Sequence, residues 1–207
     1  FTDVLGNPKA QSLFQTIGAV GSVLGLLVIP ILSKWFNKKV IYQISLIATI
    51  VGYVLMYIFG PVLKMTIALD IAYIISSTGI AAMFVGQTVF LADIVDYGEF
   101  KNAERNESIT FSMKGFLQKM AYTIQTLVLF GGLAAMNYNE QITSATKQIN
   151  DTTKTGIGII CFAVPPVLIL ISLIVFTAKF KLHGDLADQV HDHIVTKRAS
   201  EAETNEQ

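Results

Sequence analysis

Five stretches of this chain carry no charge at all: Ala10 to Ser33, Val40 to Leu63, Ile71 to Ala92, Met120 to Asn139 and Thr155 to Ala178. A helix that crosses a bilayer needs about 20 such residues, and each stretch is long enough. A large soluble protein has room for one buried helix of this kind. Five in succession leave no amphipathic surface to face water. Barrel strands alternate polar and apolar residues over about ten positions, and no such period is present. Only 14% of the chain is charged, whereas soluble domains average about 25%. The expected fold is all-α, a polytopic transmembrane helix bundle in the cell membrane, with lipid as its surrounding partner.

The spans are expected at about 11–32, 40–59, 66–95, 108–137 and 155–176, within a transmembrane part covering 1–178. The tail, 179–207, is polar and reads as partly disordered. Gly18, Gly21, Ser22 and Gly25 give the first span a small face suited to close helix packing. Pro30 ends or kinks that span, Gly60-Pro61 breaks the second, and Pro165-Pro166 is expected to kink the fifth. Lys34, Lys38, Lys39, Lys101, Arg105, Lys179, Lys181, Lys197 and Arg198 fall on one side of these spans. Lys9, Lys64, Lys147 and Lys154 fall on the other. The richer side is expected to be cytoplasmic, which places the tail inside.

Charge concentrates in FLADIVDYGEFKNAERNES, Phe90 to Ser108, between the third and fourth spans. Asp93 and Asp96 lie three residues apart near a helix C-terminus, where the macrodipole disfavours carboxylates by about 0.3–1 kcal/mol each. Glu104 and Glu107 open the next helix, where the dipole favours them. Local helix stability does not account for the first pair. The expectation is an ion-pair network of Asp93, Asp96, Glu99, Arg105 and Glu107, with cations drawn from Arg105, Lys101 and basic residues elsewhere. Weak surface pairs of about 0–1 kcal/mol suit a latch that must open.

The fourth span carries a second polar feature. Ser108, Ser112, Gly115, Lys119, Tyr122 and Thr126 recur at steps of three and four, with Gln118 and Gln125 beside them. Such a face points into a bundle or cavity, away from lipid. Lys119 lies twelve residues beyond Glu107, about 18 Å along the helix axis, near the bilayer midplane. A lysine at that depth costs about 2.5–3.5 kcal/mol without a partner. No acid in the five spans matches its depth, because Asp70 lies near the outer end and Asp93 and Glu107 near the inner one. Lys114, two turns in, is close enough to the surface to snorkel. Gln87 and Thr88 form a mid-depth polar pair on the third span.

The run ADIVDYGE followed by ESI, within Ala92 to Ser112, resembles the loop between helices ten and eleven of the glycoside–pentoside–hexuronide:cation symporters. These form the melibiose permease family, a branch of the major facilitator superfamily. SKWFNKK after the first span, Lys119 in the fourth, and KLHGD after the last add to the resemblance. It implies that the five spans correspond to helices eight to twelve, the C-terminal half of a twelve-helix transporter. The missing N-terminal half is then a partner, and it carries the main cation-binding acids. The resemblance further implies uptake of a sugar or glycoside coupled to Na⁺, H⁺ or Li⁺ by alternating access. No other cofactor and no metal centre are expected. Asp93, Asp96, Glu99, Arg105 and Glu107 fall on the family's cytoplasmic charge cluster, which helps close the inner gate. Lys119 falls on a lysine that organises the sugar and cation sites, with Gln118, Tyr122, Thr126, Gln87 and Phe84 along the pathway. Phe84 replaces a tryptophan and so offers a stacking face without an indole N–H.

An alternative class is a membrane-embedded receptor or scaffold that docks a cytoplasmic partner through 93–107. An enzyme is not expected, since no HExxH pair, no nucleophile elbow and no histidine within a span are present. Zero formal net charge offers no basic surface for nucleic acid. His191 and His193 lie in the tail, where nothing in the sequence fixes a metal geometry.

Overall fold

The computed structural model describes residues 8–63, 65–102, 104–138, 149–180 and 184–205. The described residues form α1 (Pro8–Leu32), α2 (Lys38–Tyr57), α3 (Thr66–Asn102), α4 (Glu107–Ala135), α5 (Asp151–Gly158), α6 (Val164–Lys179) and α7 (Asp185–Asn205). A π-helical turn, Ile58–Val62, extends α2, and another, Ile159–Ala163, joins α5 to α6. Lys64, Lys147, Lys181 and His183, used above for topology or resemblance, lie outside the described residues.

Among the described residues, four segments are long and apolar enough to cross a membrane: Ser12–Leu32, Lys38–Val62, Thr66–Asn102 and Asp151–Lys179. The fourth expected span, 108–137, is present as the helix α4. At 29 residues α4 has the length, but Lys114, Gln118, Lys119 and Gln125 interrupt its apolar run. Large apolar side chains such as Leu13, Leu27, Ile71 and Leu168 stand exposed along the four apolar segments. That surface matches hydrocarbon rather than water.

α3 is the central helix, packed between α1 and α2. Small residues permit the approach. A Cβ added at Gly25 would meet the Thr78 carbonyl oxygen at 2.5 Å, and one at Gly52 would meet the Ser76 amide nitrogen at 2.6 Å. The Thr78 hydroxyl donates to the Gly21 carbonyl at 2.9 Å, and Phe14 stacks on Tyr73 at 3.9 Å. The glycine face of α1 is thus a packing face. α6 covers α2 from another side, where Phe176 and Phe180 join Tyr42 and Phe90 in an aromatic cluster.

The prolines act through the π-turns. Pro61 lies inside the first, which is closed by Leu63 N–H to Ile58 C=O at 2.9 Å. Pro165 and Pro166 occupy the first positions of α6, where a missing N–H costs least. The π-helical turn Ile159–Ala163 stands directly before α6. Pro61 also meets Gly158, where a Cβ would come to 3.0 Å of the Pro61 ring.

Two helices order the inner end, the end that carries Lys34, Lys38 and Arg105. The helix expected to carry Asp93 and Asp96 continues past Gly98. α3 runs on to Asn102, and only 103–106 separate it from α4. In the tail, α7 buries Val190 and Ile194 to 4% exposure each. Spacing of four residues sets these two apolar side chains on one face, and that face packs against α3.

Candidate functional site: an inner ion-pair network and a polar helix face

α3 is 37 residues long, or about 55 Å at 1.5 Å per residue. The hydrocarbon core takes up about 30 Å of that. Its last turns, from Asp93 onward, therefore project beyond the membrane and present acids to three other elements. Lys38 at the start of α2 binds both Asp93 carboxylate oxygens, at 2.9 and 3.1 Å. Arg105, in the connection to α4, donates to Asp96 at 3.1 Å, to Glu99 at 3.0 Å and to Glu107 at 3.1 Å. From α7, Lys197 reaches Glu99 at 2.6 Å and Arg198 lies 3.7 Å from Asp96.

Glu99 is the buried member of the network, with a side chain only 10% exposed. The Lys197 ammonium, then the Arg105 guanidinium, hold its carboxyl below the ordinary carboxylate range. Hydrogen bonds to Glu99, Glu107 and Asp96 in turn hold the Arg105 guanidinium above its usual value, with partial desolvation opposing them. The cations answer the dipole problem, because each acid at the α3 C-terminus has a positive partner. Lys39 adds a further tie by donating to the Phe180 carbonyl at 3.0 Å, closing the end of α6. The network joins the inner ends of α2, α3, α4 and α7.

Lys101 makes no ion pair among the described residues. Lys38, Lys39, Lys197 and Arg198 had served only to orient the chain, and they turn out to be network members. Their partners lie far away in sequence, 55 residues for Lys38–Asp93 and 98 for Lys197–Glu99, so no local pattern marks them.

The polar face lies on α4, which buries none of its residues. Its inner half meets α3 through Lys114, whose ammonium donates to the Thr88 hydroxyl at 3.0 Å and stands 5.5 Å from the Phe84 ring centroid. Lys114 thus reaches a neighbouring helix and does not snorkel. Its outer end touches the last membrane segment, where Gly132 faces Ile160 and Gly156 faces Met136. Between these contacts, Lys119 is exposed and makes no ion pair among the described residues. Gln118 donates to the Tyr122 hydroxyl at 3.2 Å, and the Thr126 hydroxyl to the Tyr122 carbonyl at 2.8 Å.

Phe84 and Thr88 are therefore joined to α4 by Lys114, not by Lys119. Gln87 is exposed on α3. No cluster of metal-ligating side chains occurs among the described residues.

The family model described as MFS/sugar transport protein matches residues 1–183. The lactose permease of Leuconostoc lactis is 25% identical over 99% of the chain and 32% of its own length. The uncharacterized symporter YjmB of Bacillus subtilis is 27% identical over 92% of the chain and 39% of its own length. The raffinose carrier protein of Pediococcus pentosaceus is 25% identical over 95% of the chain and 29% of its own length. The chain thus spans roughly a third of the curated relatives it matches.

Proposed function

Since the chain belongs to the MFS/sugar transport protein family, we propose that it forms the C-terminal half of a cation-coupled sugar symporter. Relatives about three times longer include a permease, a symporter and a sugar carrier, which supports this class over the receptor or scaffold alternative. Asp93, Asp96, Glu99 and Glu107 of the charged stretch are also paired within the chain, which favours a structural role for them over docking. The half works in the cell membrane with its network and tail on the cytoplasmic side, as the distribution of lysine and arginine favours.

The observation that carries the reading is Lys119. It stands exposed in the middle of α4, on a polar face that the other described residues leave uncovered. The N-terminal half covers that face and supplies the acid. Lys119 is then a movable countercharge: it holds acids of the cation site while the site is empty and yields when Na⁺, H⁺ or Li⁺ binds. Tyr122, Gln118 and Thr126 line the same path and offer hydroxyl and amide partners to a sugar. Phe84 offers an apolar ring face, and Gln87 a second-helix amide. The inner network keeps Asp93, Asp96, Glu99, Arg105 and Glu107 in one unit, so the inner ends of α2, α3 and α4 move together as the site changes sides.

In the complete protein, Lys119→Ala is expected to abolish cation-dependent sugar accumulation while membrane insertion persists. Accumulation at the native level in vesicles overturns the countercharge role. The 207-residue chain reconstituted alone is expected to show no coupled uptake, because one wall of the site is absent.

A further inference from the structure

The inner ends of α1, α2 and α3 diverge around a crevice of about 220 Å³. Ile29 of α1, Ile41 of α2, and Val85 and Val89 of α3 form its apolar walls, and Ser33 and Lys38 stand among its lining residues. Phe84 and Thr88, which meet Lys114 of α4, fall on roughly the opposite face of α3 at about 100° per residue. The crevice therefore opens away from α4 and its polar face. Val89 is 36% exposed, so the space opens at the surface of the described bundle.

The turn beside the crevice is basic. Lys38 is 64% exposed even while paired with Asp93. Lys34 is exposed and makes no ion pair among the described residues. Trp35, between them, is 76% exposed and is the one tryptophan of the chain. An apolar slot at membrane depth with cations at its end matches one class of molecule. We propose that this crevice holds one acyl chain of an anionic phospholipid from the adjoining leaflet, with the phosphate between Lys34 and Lys38. A peptide segment does not fit, because its backbone groups find no partners among those walls. A zwitterionic lipid brings its own cation against the lysines. The lipid phosphate competes with Asp93 for Lys38, so occupancy bears on the ion pair that ties α2 to α3.

Trp35 is the probe. The 207-residue chain is placed in phosphatidylcholine bilayers, which are replaced stepwise by brominated phosphatidylglycerol or brominated phosphatidylcholine. Bromine quenches tryptophan only on contact. Half-quenching is expected at a roughly fivefold lower mole fraction of the anionic lipid, the effect of about one well-placed cation near a membrane surface. Lys34→Gln with Lys38→Gln is expected to reduce that preference below twofold, while Lys38→Arg keeps it. Val89→Phe fills the slot from its exposed side without changing charge, and is expected to reduce the preference as well. Equal quenching of the native chain by the two lipids means a non-selective lipid annulus and overturns the proposal. So does a preference that survives either the paired lysine substitution or Val89→Phe. Because no transport is measured, failure here leaves the symporter reading standing, and loss of transport elsewhere leaves this one.

Discussion

Lys197 donates to Glu99 across 98 residues of sequence, with Nζ 2.6 Å from Oε1. The same carboxylate accepts from Arg105 at 3.0 Å, so the tail helix and the α3–α4 connection meet on one side chain. Beside it, His193 packs edge-on against Phe100 at 5.2 Å. A polar tail is thereby held to the inner end of the central helix.

Breaking that pair is expected to loosen α7. Val190 is 4% exposed in the docked helix, so a cysteine there is shielded from a soluble maleimide. Lys197→Ala is expected to raise the labelling rate of Val190→Cys about fivefold, corresponding to roughly 1 kcal/mol for a partly exposed pair. Glu99→Gln is expected to act the same way, and the double variant to show less than the product of the two. Independent, multiplying effects mean that the two residues do not meet.

The network is also expected to resist mild acid. The Glu99 carboxyl is held low by Lys197 and Arg105, so its contribution is complete above the ordinary carboxylate value of 4.5. It is lost only as pH falls through the lower folded value. Asp96, Glu107, Arg198 and His193 lie around the same point. A carbon-13 titration of the Glu99 carboxyl is expected to give a midpoint below 4.5. A midpoint at or above that value contradicts the double ion pair.

Glycines of α3 are expected to divide by position. At Gly79 a Cβ would stand 2.8 Å from both the Ser45 carbonyl oxygen and the Thr49 amide nitrogen, all backbone that cannot step aside. Gly79→Ala is expected to cost about 1–3 kcal/mol, as overpacked cores do. At Gly98 nothing lies within 4 Å. Gly98→Ala is expected to be neutral or to stabilise by about 0.5–1 kcal/mol. Thermal denaturation in detergent separates the two, and equal shifts count against the α2–α3 contact described here.

Lys114 is expected to hold α4 to α3. Lys114→Met keeps the apolar stem but removes the bond to Thr88 and the charge over Phe84. Amide exchange in the inner half of α4 is expected to quicken about fivefold, in keeping with roughly 1 kcal/mol for an exposed charge-assisted contact. Unchanged exchange means that the helix is held by other contacts.

The sequence by itself determined that this chain lives in a membrane, because charge-free runs of that length have no other stable solvent. The five expected spans fall on observed helical segments, with ends within four residues except at the inner end of α3, which runs seven residues beyond Val95. The glycine face of α1 was legible for the same reason, since a helix has a fixed period and small residues on one face can mean close approach. Only the tertiary structure decided which charges meet. Asp93 and Lys38 lie on different helices, and nothing local to either residue names the other. The tail looked too polar to order, yet Val190 and Ile194 find α3, and Lys197 and Arg198 find its acids. A helix with one short apolar edge is stable only when its docking surface exists, and that surface is made by α3 continuing past Gly98. Lys114 followed the same logic: its depth suggested water, but Thr88 and Phe84 were nearer. Burial and charge pairing are properties of the assembled bundle, while span and period belong to each segment alone.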